Sequence, residues 1–271
     1  MMAEPQLYEL HDLARERGIE GFRRLSKAEL MEAIGELPPP GQTIVQCDIR
    51  ESLAVLTLNG PADNALALET LEQLAAEAER LALDERVRVI AITGAGTRIF
   101  STGADLGRVE SLPGIEVTTR GSRALDRIAA LPVPTVALLN GHAVGGAIDL
   151  ALACDWRFAA QGAKLRFIHN ELGYSPPWGG AQRLSRLIPP GAALRMFATC
   201  ELLSADEGRA LGIVDAVVQR EKLIGRAESL AVRIGRSKRD AVAITKGLLG
   251  DPTAVGHEGA FAALWDAKLR T

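Results

Sequence analysis

Two glycine-rich junctions and a few titratable side chains are the places where this chain could do chemistry. Gly145-Gly146, in NGHAVGGAIDL, follows an apolar run and opens an apolar helical stretch. The first amides of a helix have no partner within it, and the helix dipole adds partial positive charge there. Glycine lets a ligand oxygen come close to such a backbone. Thr102-Gly103, in FSTGADL, has a similar setting ahead of a second short helix. Two such amides converging on one carbonyl oxygen would form an oxyanion hole, where one donor is worth roughly 3–4 kcal/mol. Each pair also reads as a plain tight turn. The acid–base candidates are Asp149, in the helix after Gly145-Gly146, and His169 and Glu171 in LRFIHNELG.

Other site types fail on residue type or spacing. The loop Gly94-Ala95-Gly96-Thr97-Arg98-Ile99 follows a strand, but Ile99 stands where a dinucleotide fingerprint needs its third glycine. The phosphate-cradling GxxxxGK[ST] and the GxSxG nucleophile elbow do not occur. His11, His142, His169 and His257 form no HExxH pair. Cys47, Cys154 and Cys200 are far apart and read as reduced core thiols, with no metal site. The chemistry expected is therefore free of metal and cofactor.

The elements that must position these groups change type along the chain. Thr43–Ile49 and Ser52–Leu58 read as a hairpin. Leu71, Leu74, Ala78 and Leu81 mark one face of a helix. Val87–Thr93 and Pro134–Leu139 are buried strands, and a helix runs from Gly146 to Ala153. From Gly179 onward the pattern is mostly helical, with a capping box at Ser204 and Glu207 and a stop at Gly212. Strands alternating with helices, then helices alone, predict an α/β core of repeated strand–strand–helix units with a helical C-terminal region.

Composition narrows the partners. Of 271 residues, 47% are hydrophobic and 24% charged, which suits one large domain with a small appendage. Leu37-Pro38-Pro39-Pro40-Gly41 reads as a stiff linker, dividing the chain into residues 1–40 and 41–271. Residues 1–40 hold five basic and eight acidic side chains; taken from totals of 31 and 34, that leaves 26 of each in the remainder. Neither part presents a basic field for nucleic acid or an anionic membrane. With no apolar run long enough to span a bilayer and no visible secretory signal, a cytoplasmic protein is expected.

Five ordered blocks carry a resemblance. NGPADNAL, FSTGADL, NGHAVGGAIDLALACDWRFAA, LGYSPPWGGAQRL and LLSADEGRALGIVDAVV resemble the enoyl-CoA hydratase/isomerase (crotonase) superfamily, from about residue 43 to the C-terminus. The resemblance implies a spiral of ββα units, a helical trimerisation region, a homotrimer or dimer of trimers, and an acyl-CoA substrate that brings its own coenzyme A. It places the two enolate-stabilising amides on Thr102 and Gly146. Asp63, Asn64, Ala65, Leu66, Gly103, Ala104, Asp105, Leu106 and Gly145 would line the coenzyme A site. Trp178, just before Gly179-Gly180, reads equally as a wall of the acyl pocket or as a core aromatic. The stretch LYELHDLARERGIEGFRRLSKAELMEAI resembles the helix–loop–helix module at the start of transcription terminator Rho. That kinship implies nucleic-acid contact; the acidic balance opposes it and favours a docking or structural hairpin.

At the acid–base positions the chain departs from the hydratase pattern. Hydratases use two glutamates to hold one water; here the aligned positions are Asp149 and His169, with Glu171 two residues on. The block RFIHNELGYSPPWGG and the ending HEGAFAALW are similar to the ethylmalonyl/methylmalonyl-CoA decarboxylase branch. The expectation is thus decarboxylation of a malonyl-type thioester. His169 would donate the proton or position the substrate carboxylate, and Asp149 would support it. A hydratase or isomerase with altered acid–base groups is the alternative, and a non-catalytic scaffold recruited through the hairpin is another.

Overall fold

The computed structural model describes His11, Ser26, Lys27, residues 45–110 and residues 112–250. The expected N-terminal hairpin, the proline linker and the HEGAFAALW ending lie outside the described residues.

Strands β1 (Val45–Arg50) and β2 (Leu53–Leu58) form the expected antiparallel hairpin. A short helix α1 (Pro61–Asn64) then leads to α2 (Leu68–Ala82). Helix α2 forms because Leu71, Leu74, Ala75, Ala78 and Leu81 recur on one face, and that face is buried. Next come β3 (Val89–Gly94), β4 (Ile99–Ser101), α3 (Leu106–Val109) and α4 (Gly114–Ala129). The third unit is β5 (Thr135–Leu139), β6 (His142–Val144) and α5 (Gly146–Ala153). The fourth is β7 (Trp156–Ala160), β8 (Lys164–Arg166), a 3-10 turn at His169–Leu172, α6 (Gly180–Leu187) and α7 (Pro190–Ala198). Strand β9 (Leu202–Ser204), α8 (Ala205–Ala210), β10 (Ala216–Val218), α9 (Leu223–Gly235) and α10 (Arg239–Gly250) complete it.

Each unit sends its long strand to one sheet and its short strand to another. The large sheet has the order β1-β2-β3-β5-β7-β10 and the small one β4-β6-β8-β9. Beyond the β1–β2 hairpin the large sheet is parallel, and in the small sheet only β8–β9 is antiparallel. Both sheets advance one strand per unit, which is the expected spiral of ββα units. Strands β3 and β5 are apolar runs because parallel strands are covered on both faces. Helix α5 is buried at all eight residues, Asp149 included.

Side-chain clamps fix the strand ends that lead to the site. Asn140 accepts from the Gly94 amide at 3.0 Å and donates to the Gly96 carbonyl at 3.0 Å. Asn64 adopts φ of 62° and directs its amide at the carbonyls of Ala95, Phe100 and Ile99, at 3.0, 3.2 and 3.4 Å. Asp155 receives the Thr135 amide at 2.7 Å and the Lys246 ammonium at 2.7 Å, which ties α10 to the large sheet. The predicted capping box at Ser204 and Glu207 is present, and Gly212 takes φ of 83° just after α8. Of the three thiols, Cys154 is buried, Cys200 is half-buried and Cys47 is exposed, so Cys47 is not the core thiol expected. No described helix is long and apolar enough to cross a membrane.

Replacing Asn64 by alanine leaves three buried or half-buried carbonyls without this donor and puts a Cβ-bearing residue with no local side-chain hydrogen bond at positive φ. The expected cost is about 2–3 kcal/mol of unfolding free energy, read from urea titrations. A variant as stable as the parent would show that the clamp contributes nothing.

Candidate active site

The site is built where the loop after β4 meets the turn after β6. Gly103 has φ of 87°, and a Cβ there would lie 2.4 Å from the Val144 carbonyl oxygen and 2.8 Å from the Gly146 nitrogen. Only glycine permits that approach. Gly145 takes φ 54° and ψ −121°, a conformation closed to residues with a side chain, and so turns the chain from β6 into α5. The Gly145 amide is used by the Arg166 carbonyl at 3.0 Å. The Gly146 amide, first in α5, donates to nothing among the described residues.

The second free amide belongs to Ala104, which corrects the expectation for Thr102. The Thr102 N–H donates to the Asp63 carbonyl at 3.2 Å, and Leu66 and Asp105 pair across the same bridge with Gly103 and Leu66. The Ala104 N–H lies between these bonds and has no acceptor among the described residues. A methyl group at Gly146 would lie 3.2 Å from the Ala104 nitrogen, so the two amides are neighbours. The signal available in the sequence was Gly103 itself: a left-handed glycine reverses the chain and leaves the next amide pointing out.

Both amides border a cleft of about 1050 Å3, the size of a cofactor-bearing ligand. Of the residues singled out in the sequence, Thr102, Ala104, Leu106, Gly145, Gly146, His169 and Trp178 line it. Asp63, Asn64, Ala65, Leu66, Gly103 and Asp105 do not. Asn64 and Leu66 are spent on the interior, with Leu66 wholly buried, because the loops they hold are those that carry the amides.

The two acid–base candidates lie close together, at different depths. His169 opens the 3-10 turn after β8 and borders the cleft, its ring 5.7 Å from that of Phe197. Glu171 sits at the surface, paired with Arg166 at 2.6 Å, so it is His169 that faces the site. Asp149 does not reach the cleft: it is 0% exposed, packed under the backbone of Gly180, and accepts the Trp178 amide at 3.3 Å. One methylene shorter than glutamate, it stops behind Trp178. Its Oδ2 lies 3.8 Å from His169 Nε2, and its Oδ1 and both imidazole nitrogens have no hydrogen bond among the described residues. Burial pushes the Asp149 carboxyl up to about 7 and the His169 imidazole down to about 4. Near neutral pH the imidazole is therefore uncharged, and the carboxyl keeps its proton to a higher pH than an exposed aspartate would. That is a base with an acid behind it, not an ion pair. Among the described residues, no three His, Cys, Asp or Glu side chains gather as metal ligands.

Comparison with known proteins follows the same outline. Residues 48–262 match the family model Enoyl-CoA hydratase/isomerase. The chain belongs to the enoyl-CoA hydratase/isomerase family. It is 37% identical over 200 residues to the crotonyl-CoA hydratase of Syntrophomonas wolfei, covering 72% of this chain and 77% of that one. It is 34% identical over 234 residues to the (E)-benzylidenesuccinyl-CoA hydratase of Thauera aromatica, covering 83% and 90%. A crystal structure of enoyl-CoA hydratase from Bacillus anthracis superposes with a TM-score of 0.77 at 30% identity, covering 84% of this chain and 92% of that one. Each of these relatives is named a hydratase, and the expected preference for decarboxylation draws no support from them. Residues 6–36 separately match the model Rho termination factor, N-terminal domain.

The pair's protonation also sets a stability test. Asp149 is raised from 3.8 to about 7, so unfolding releases a proton in that window and its contribution falls as pH rises. His169 is lowered from 6.5 to about 4, so unfolding takes up a proton and its contribution grows as pH rises. Between pH 4 and 6.5 the two oppose each other. Relative to the parent, His169→Gln should lose stability from pH 4 to 6.5 and Asp149→Asn should gain it. Each trend should amount to about 3 kcal/mol, since one pK unit is worth about 1.4. Urea midpoints for both variants that run parallel to the parent's would contradict the assignment.

Proposed function

We propose that the protein works on an enoyl-CoA thioester, adding water across its double bond or moving that bond, with His169 as the base. The observation that carries this is geometric: the free Ala104 and Gly146 amides and the His169 ring open on one cleft. In hydration, the water oxygen bonds to the β-carbon as His169 takes its proton. The π electrons move onto the thioester oxygen, where the two amides and the α5 dipole meet the charge. The imidazolium then returns the proton to the α-carbon, with the Asp149 carboxyl 3.8 Å behind it. Isomerisation uses the same parts without water, the base carrying one proton between two carbons. No cofactor is needed beyond the coenzyme A that the substrate carries.

Burial argues against the donor role first expected of His169. A proton donor for decarboxylation must be charged before the reaction, and this imidazole is neutral at pH 7. Decarboxylation stays as the second reading on one observation: no carboxylate occupies the cleft at the position of Asp149, which suits a substrate bringing its own.

Crotonyl-CoA, methylmalonyl-CoA and ethylmalonyl-CoA, offered separately and followed by product mass, decide between these. The expected result is a gain of water on crotonyl-CoA, falling by about 10²–10⁴-fold in His169→Ala. Loss of CO2 from a malonyl thioester alone would install the second reading. Failure of all three, with no coenzyme A bound, would leave a scaffold.

A further inference from the structure

Trp178 is among the largest wholly buried side chains, and two glycines make room for it. A methyl group at Gly121 of α4 would lie 2.1 Å from its Nε1, and one at Gly146 of α5 would lie 2.4 Å from its Cζ3. The indole is thus wedged between α4 and the residue that supplies an amide to the site. Its Nε1–H donates to the Val117 carbonyl at 3.2 Å. Its backbone is held at both ends, the amide by Asp149 at 3.3 Å and the carbonyl by Arg183 Nη1 at 2.6 Å. Glycine inside a helix is the costliest residue there after proline, so Gly121 in α4 weakens the helix to seat this ring.

We infer that Trp178 plugs the deep end of the acyl pocket and restricts the enzyme to short acyl chains. This rests on the acyl-CoA reading above. An acyl group whose thioester oxygen meets the Ala104 and Gly146 amides starts its course at Gly146, beside the indole's six-membered ring. The ring fills the space between Val117, Gly121 and Gly146, and Val117, Gly146 and Trp178 itself border the cleft. A small residue at position 178 would open an apolar extension of the cleft in which further methylenes lose their water. With tryptophan there, a chain longer than a few carbons must stay in the open mouth near Leu172 and Tyr174, both exposed.

Affinity against chain length reads this directly, independently of turnover. Calorimetric titration of the full chain with acetyl-, butyryl-, hexanoyl-, octanoyl- and decanoyl-CoA should show affinity levelling off beyond butyryl. In Trp178→Ala each added methylene should keep raising affinity, by up to about fourfold. The decanoyl-to-butyryl ratio should then exceed the parent's by at least about 100-fold. Trp178→Phe removes less volume and should fall between them; it carries the test if the alanine variant does not fold, as heat unfolding would reveal. Parallel chain-length series in parent and variants, or a parent whose affinity climbs through decanoyl, would overturn the plug and leave the acyl-CoA reading intact. A parent that binds none of the five, acetyl-CoA included, would overturn both.

Discussion

Gly103 touches the start of α5 so closely that a Cβ would overlap the Val144 carbonyl and crowd the Gly146 amide. This contact joins the strand-to-helix loop of one ββα unit to the same loop of the next, and the rest of the site is arranged around it. Because the chain is left-handed at Gly103 and again at Gly145, each loop spends its neighbouring hydrogen-bond groups internally and leaves one amide over. A buried backbone N–H without a partner is costly, so an arrangement that keeps two of them side by side on a cleft is one that an incoming oxygen completes. The clamps at Asn64 and Asn140 serve the same end. They hold the loop between β3 and β4, so Ala104 cannot relax toward another acceptor.

Electrostatics behind the amides follow from the burial of α5. A carboxylate ionised at position 149 would place a negative charge in the helix that supplies a donor, opposing the enolate the donors serve. Desolvation removes much of that conflict by favouring the protonated carboxyl, at the expense of a carboxyl that no longer touches substrate. The imidazole, neutral for the same reason, is the group at the cleft, and the carboxyl lies 3.8 Å behind it. Where a pair of glutamates would face one water, this chain stacks its two groups in depth.

Long elements were legible in the sequence because they repeat a period. Leu71, Leu74, Ala78 and Leu81 marked α2, the apolar runs marked β3 and β5, and Ser204 with Glu207 marked the start of α8. The small sheet was not visible, since β4, β6, β8 and β9 are three residues each and too short to show alternation. Gly146 and His169, singled out by type and position, both border the cleft. The amide expected at Thr102 falls on Ala104 instead, because which amide stays free depends on the bridge between Leu66 and Ala104, a pairing across 38 positions of chain. Asp63 and Asn64 read as ligand contacts, yet both adopt positive φ to carry a turn, and nothing in their types distinguishes the two uses. Asp149 was read as a site acid, and only its packing under Gly180 and Trp178 shows that it is withdrawn.

The likeness to hydratases and the departure from them sit on different layers of the molecule. Sheets, clamps and glycine junctions hold two amides side by side, and a side chain at Gly103 would collide with the backbone of Val144 and Gly146, while Gly145 needs a φ that side chains disfavour. Positions 149 and 169 are under no such constraint from the backbone: a helix interior accepts aspartate or glutamate, and a 3-10 turn accepts histidine. The proton-handling groups can therefore change while the enolate site stands. Family membership therefore constrains the backbone scaffold more firmly than the side chains at positions 149 and 169. On the mechanism proposed above, the outcome of the reaction turns on one imidazole, a carboxyl hidden behind it, and the room left around them.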